Sequence, residues 1–206
     1  LALTIGSTTR EASYVSASST STALVFNYTV ADGDADDNGI VVNALSLNGA
    51  TIQDDLNNHC SLTLNNAGAT TGVFVDTFEP SVVNVSSSSP DGWYKLGDVI
   101  AVNIYFSEPM IVSGTPTLEL DHCGAATYTS GSGSSSLVFS YTVAAGHANA
   151  DLDYMSSSSL SLAGGNITDV AGNPATLFLS TPGALGSLAS NCDIRVDGVA
   201  PVIEGV

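Results

Sequence analysis

Four carboxylates crowd into six residues of the stretch ADGDADDNG: Asp32, Asp34, Asp36 and Asp37. Carboxylates this close repel one another unless something positive sits among them. A hard cation such as Ca²⁺ takes about six to eight oxygens from carboxylates, carbonyls and water, and alternating acids on a Gly-containing loop supply that donor set. The Asp-x-Asp-x-Asp spacing matches the start of an EF-hand loop, but no Glu follows at the twelfth position and no helical pattern flanks it. A calcium site on a loop between strands is the expectation, and the alternative is a solvated acidic hairpin. A near twin follows: LVFNYTVADGDADDNGI at 24–40 is matched by LVFSYTVAAGHANADLD at 137–153. The twin keeps Asp151 and Asp153 and has His147 and Asn149 earlier, so it should hold Ca²⁺ more weakly or not at all.

Other residues able to do chemistry are few. Cys60, Cys123 and Cys192 have no C-x-x-C spacing, which argues against a zinc site. Cys123 and Cys192 share one repeat and are the expected disulfide, with Cys60 unpaired; the alternative is three free thiols. His59 and His122 stand beside cysteines, and solvated loop histidines are the expectation. No G-x-S-x-G elbow occurs, and three histidines leave little choice of general base. The chain therefore reads as a non-enzyme. Trp93, the single Trp, stands beside Tyr94 and either stacks on sugars or plugs an open end of the fold. N-x-S/T sequons at Asn27, Asn84 and Asn166 mark candidate glycosylation sites.

The composition frames these residues. Among 206 residues, 3 Lys and Arg face 20 Asp and Glu, a net charge of −17. Nucleic-acid affinity comes largely from basic side chains on phosphates, so that function is excluded, and anionic membranes are excluded with it. Hydrophobic residues make up 44%, enough to build cores. Ser, Thr, Gly and Asn abound and strong helix formers are scarce, a β-rich and extracellular-looking composition.

The scaffold is a repeat. EASYVSASSTSTALVFNYTV at 11–30 matches AATYTSGSGSSSLVFSYTV at 125–143, ALSLNGATIQD at 44–54 matches SLSLAGGNITD at 159–169, and VFVDTFEPSVVNV at 73–85 matches IRVDGVAPVIEGV at 194–206. The expected division is a partial repeat at 1–80 that lacks its N-terminal strands, a complete repeat at 81–199, and the start of another at 200–206. Either the chain continues on both sides or a neighbouring molecule supplies the missing strands. Alternation in VIAVNIYF puts Ile100, Val102, Ile104 and Phe106 on the core face, and SLVFSYTV likewise turns Leu137, Phe139, Tyr141 and Val143 inward. Seven or so short strands in about 100–120 residues, separated by turn signals, predict an immunoglobulin-like (Ig-like) β-sandwich.

YKLGDVIAVNIYFSEPMIVSGTPTLEL, then ATYTSGSGSSSLVFSYTVAAG, LAGGNITDVAGNPATL and VDGVAP, resemble the Ig-like repeats of giant bacterial surface proteins, the extender repeats of RTX-type adhesins and related cadherin-like modules. The cysteines depart from that pattern. The resemblance implies tandem sandwiches in an extracellular filament or adhesin stalk, stiffened by Ca²⁺ at domain junctions. Asp76, Glu79, Asp98, Glu108 and Asp197 are the junction ligands it implies, with neighbouring repeats or identical subunits as partners. The alternative is a module that binds surface glycans. Asp54 and Asp169 recur in TIQD and NITD and read as turn caps.

Overall fold

The computed structural model describes every residue except Glu204 and Val206. Strands hold 39% of the chain and helix 3%, so the fold is all-β. Two compact units divide it, Leu1–Phe78 and Glu79–Val206. Of the expected opening of a further repeat at 200–206, Glu204 and Val206 lie outside the described residues.

The first unit is sparse in strands. It holds β1 (Ala2–Ile5), β2 (Thr8–Glu11), β3 (Ser13–Tyr14), β4 (Phe26–Asn27), β5 (Ala35–Asp36), β6 (Val41–Val42) and β7 (Val75–Asp76). Strand β1 lies between β2 and β6, while β3 pairs with β4 and β5 with β7. Leu3, Ile5 and Ala12 are its buried apolar residues.

The second unit holds β8 (Val82–Ser87), β9 (Gly92–Lys95), β10 (Val99–Ser113), β11 (Thr117–Leu120), β12 (Gly124–Ser130), β13 (Ser134–Thr142), β14 (Ala148–Asn149), β15 (Leu160–Ser161), β16 (Asn166–Thr168), the short helix α1 (Leu188–Asn191) and β17 (Ile194–Asp197). Seven strands form one sheet in the order β15-β11-β12-β13-β10-β16, with β8 also on β10. The alternation read from sequence sets its faces: Ile100, Val102, Ile104 and Phe106 of β10, and Leu137, Phe139 and Tyr141 of β13 with the following Val143, are all buried. Each such side chain stabilises the fold by roughly 1.5–3 kcal/mol on burial. A second sheet, β14-β17-β9, adds Ile194 and Val196 to the same core. Within it β17 runs parallel to β9, from Ile194 opposite Gly92 to Asp197 opposite Lys95.

Strand β10 is the spine. Its first half pairs with β13, Val102 opposite Phe139 and Ile104 opposite Leu137. Its last residues pair with β16, Val112 opposite Ile167. Gly165, just before β16, permits that approach, because a Cβ there would stand 2.3 Å from the Ser113 carbonyl oxygen.

The two units repeat one another residue by residue. Leu3 faces Arg10 as Leu120 faces Gly124. Tyr14 faces Phe26 as Tyr128 faces Phe139, with ring centroids 5.9 and 5.8 Å apart. Ala35 faces Asp76 as Ala148 faces Asp197. The described residues of the first unit contain no counterpart of β8, β9 or β10.

Candidate functional site

The acidic loop does not gather its four carboxylates. Asp34 and Asp36 are buried, while Asp32 and Asp37 are exposed. Oδ1 of Asp34 accepts from Nε and Nη2 of Arg10, both at 2.7 Å. Its Oδ2 accepts from the Tyr28 hydroxyl at 2.5 Å and the Ala31 amide at 2.9 Å. These donors, Tyr28 foremost, hold its carboxyl below the usual range, and the same bonds push the Arg10 and Tyr28 pKa values up. Asp36 accepts from the amides of Gly6 (2.7 Å), Gly39 (2.7 Å) and Asn38 (3.1 Å), and is likewise held low, by Gly6 first. The positive partner of Asp34 is the protein's own guanidinium, and the acceptor positions of Asp36 face backbone amides.

The twin loop repeats this wiring with other residues. Tyr141 stands at the place of Tyr28, and its hydroxyl lies 2.7 Å from Nδ1 of His147, the counterpart of Asp34. Gly124 stands where Arg10 does, and a Cβ there would lie 3.6 Å from Cε1 of His147, so the Arg10–Asp34 ion pair and the Tyr141–His147 contact are alternative solutions at one place. Asn149, the counterpart of Asp36, accepts from the Asp151 amide at 2.9 Å. It then donates from Nδ2 to the Asp121 carbonyl at 2.9 Å, in the turn that follows β11. In the first unit the same tether runs the other way, from the Gly6 amide to Asp36. Asp153 is buried and accepts from the amides of Tyr154 (2.9 Å) and Gly183 (2.8 Å). Desolvation and the carboxylates of Asp193 and Asp153 raise the Asp151 pKa.

The remaining expected ligands are spread out. Asp76 accepts from the Phe78 amide at 3.0 Å. Glu79 is exposed and accepts from the Thr176 hydroxyl at 3.3 Å. Asp98 accepts from the Lys95 amide (2.9 Å) and ammonium (3.1 Å), which hold it low. Asp197 accepts from the Val199 amide at 3.1 Å. Among the described residues of the second unit, oxygens of Glu108 and Asp169 lie within 4.8 Å of each other. The sequence shows no sign of this proximity, because the β10–β16 pairing creates it. Asp169 is buried and accepts from the Gly172 amide (2.7 Å) and from the Asn173 amide (2.8 Å) and Nδ2 (2.7 Å). Asp54 caps the matching turn, with Asn58 in the role of Asn173.

The expected Cys123–Cys192 bridge is not formed, and all three thiols are free. Cys123 is sealed in the core near Tyr141, and burial pushes its thiol pKa up. Cys192 follows α1, with Sγ 3.5 Å from the Ser86 hydroxyl. Asn27 and Asn166 of the sequons are exposed, whereas Oδ1 of Asn84 accepts from Asn191 at 2.8 Å. Trp93 is not a plug: it is 65% exposed, with the Arg195 guanidinium 5.7 Å from its ring centroid. Tyr94 turns the other way, against the core, so the pair does not form one platform.

A cleft of about 350 Å³ opens in the first unit, with Tyr14, Ser21, Leu24, Phe26, Leu45, Leu47, Ala50 and Ile52 among its lining. Their counterparts Leu137, Phe139, Leu160 and Ile167 are buried in the second unit. No family model, curated protein or solved structure matches the chain.

Proposed function

We propose that the chain is a structural module of an extracellular filament or adhesin stalk, built from tandem Ig-like β-sandwich repeats and without catalytic activity. The observation that carries this reading is the shared pairing register of the two units, from Tyr14–Phe26 and Tyr128–Phe139 to Ala35–Asp76 and Ala148–Asp197. The residues exchanged at the loop, Asp34 for His147, each keep a contact with the tyrosine of the same strand, Tyr28 or Tyr141, which suits a scaffold role. The parallel β17–β9 ladder suits a mechanical role, because tension along the exiting strand loads its hydrogen bonds together in shear. Pulling single molecules tests this. A sawtooth with a high-force step for the second unit supports it, and low-force unravelling of the whole chain refutes it.

We assign calcium stiffening to the carboxylate pair Glu108 and Asp169, whose oxygens lie within 4.8 Å of each other, whereas Asp32 and Asp37 of the acidic loop are exposed and Asp34 is ion-paired to Arg10. A ligand held only by the folded state raises stability, by about 2.7 kcal/mol at a hundredfold excess over Kd. The second unit should therefore melt higher in Ca²⁺ than in EDTA, and Glu108→Gln should abolish the difference. Equal melting in both conditions would remove calcium from the proposal.

A second reading, a module for surface glycans, draws on the exposed Trp93. Its test is glycan binding before and after Trp93→Ala.

A further inference from the structure

Two Asn-Gly pairs occur in the sequence, Asn38-Gly39 and Asn48-Gly49, and three Asp-Gly pairs, at Asp32, Asp91 and Asp197. A glycine after such a residue has no side chain to shield its backbone nitrogen, which can attack the neighbouring side-chain carbonyl carbon. What restrains the attack is whatever holds that nitrogen. In four of the five pairs the glycine N–H donates a hydrogen bond. Gly33 donates to the Thr77 hydroxyl (3.0 Å), Gly39 to Oδ1 of Asp36 (2.7 Å), Gly92 to the Asp193 carbonyl (2.9 Å) and Gly198 to the His147 carbonyl (2.7 Å). Gly39 is also walled in, since a Cβ there would stand 2.4 Å from Cα of Thr71. The Gly49 N–H has no acceptor among the described residues. Nothing lies within 4 Å of a Cβ placed on Gly49, so its peptide has room to turn. Asn48 and Gly49 are both exposed, and one backbone bond, from the Ala50 N–H to the Leu47 carbonyl at 2.8 Å, closes their turn. The Ser46 hydroxyl, 3.0 Å from Oδ1 of Asn48, donates to it and polarises the side-chain carbonyl.

The second unit builds the same turn without the amide. Ala163 and Gly164 stand at these two places with φ of 48° and 81°, against 45° and 86° for Asn48 and Gly49. The Gly165 N–H closes that turn onto the Leu162 carbonyl at 2.8 Å. Asn is enriched at such left-handed positions, but Ala163 shows that the fold does not require it.

We infer that the Asn48–Gly49 turn is a self-modifying site. The Gly49 nitrogen loses its proton and bonds to Cγ of Asn48. The Cγ–Nδ2 bond breaks, ammonia leaves with that proton, and a five-membered succinimide remains. Water then opens the ring at either carbonyl, which leaves an aspartyl or an isoaspartyl residue at position 48. One water is consumed and one ammonia released, with no change of oxidation state. The turn gains a negative charge, and the isoaspartyl product adds a methylene to the backbone between Leu47 and Ala50, two residues of the cleft wall. The twin turn at Ala163 cannot undergo this change.

This chemistry is independent of the mechanical reading, so the pulling experiment and the following one fail separately. The full chain is incubated at neutral and mildly alkaline pH, with released ammonia followed in solution. Peptic digestion in acid stops the reaction, and tandem mass spectrometry of the peptides locates the conversion. Conversion at position 48 should run at least tenfold faster than at Asn38 or at any of the three Asp-Gly pairs. It should rise with hydroxide concentration and release ammonia in step. In denaturant, where no fold holds either glycine, Asn38 and Asn48 should convert at similar rates. Asn48→Ala copies the twin turn, so it should fold with unchanged melting and lose the fast phase of ammonia release. Equal conversion at Asn38 and Asn48 in the folded chain overturns the inference, and so does conversion at Asn48 only after unfolding.

Discussion

Leu137 and Val143 of the second unit are sealed, at 0% and 1% exposure; their counterparts in the first, Leu24 and Val30, are 43% and 47% exposed. The sequence around them is nearly the same, and so is the backbone register. What differs is what lies across the sheet, because β10 and its neighbours stand in one unit and have no counterpart among the described residues of the other. The apolar alternation of a strand is thus a statement about capacity for burial, and a partner strand converts that capacity into a core. The first unit keeps its shape by other means, with Arg10, Asp34, Tyr28 and Asp36 forming a polar clasp in place of packing.

Removing the same ring from both units tests this contrast most strongly. Phe139→Ala should cost about 3–5 kcal/mol, the usual range for a fully buried Phe. Phe26→Ala should cost less, about 1.5–3 kcal/mol, since Phe26 is only partly buried. Denaturant titration followed by hydrogen exchange separates the two. Equal losses would mean that the first unit is as well packed as the second.

The clasp comes next. Arg10→Ala strips Asp34 of its guanidinium and leaves a buried carboxylate with weaker compensation, so the first unit should melt earlier while the second is unchanged. Adding Asp34→His to that variant brings the place close to the Gly124 and His147 arrangement of the second unit and should restore most of the loss. Failure of the double variant to recover would show that the two solutions are not interchangeable.

Acid gives a smaller effect. Asp34 and Asp36 are held below the ordinary carboxylate value of about 3.9. A carboxyl depressed by folding stabilises the fold above its unfolded pKa, and that contribution is lost as pH falls through the folded one. Acidification below about pH 4 should therefore loosen the first unit at these two positions. The second unit, with His147 and Asn149 there, has no carboxylate to lose at either. Exchange rates near residues 34–39 and 147–152 between pH 5 and 2 would show it.

Much of the fold was legible. Alternation marked both faces of β10 and β13 because each strand has one buried side, and the repeat announced itself in strings such as LVFNYTV and LVFSYTV. The contacts of the acidic loop were not legible, for a reason of distance. Four neighbouring acids look like a cation site when read along the chain, but Arg10 lies 24 residues from Asp34, and only the β1–β2 hairpin carries it there. Glu108 and Asp169 met for the converse reason, since a long strand brought together residues that share no local pattern. Trp93 and Tyr94 show the limit of reading neighbours as partners, because adjacent residues of a strand point to opposite faces.

The tether between loop and hairpin has a genetic consequence. In one repeat the hairpin offers the Gly6 amide to an Asp36 carboxylate, and in the other it offers the Asp121 carbonyl to an Asn149 amide. Tandem repeats in DNA exchange segments by unequal crossing over. A crossover falling between hairpin and loop would set carboxylate against carbonyl, two acceptors with no proton to share. Exchanges that keep both halves together are silent by comparison, so viable recombinants should inherit hairpin and loop as one block.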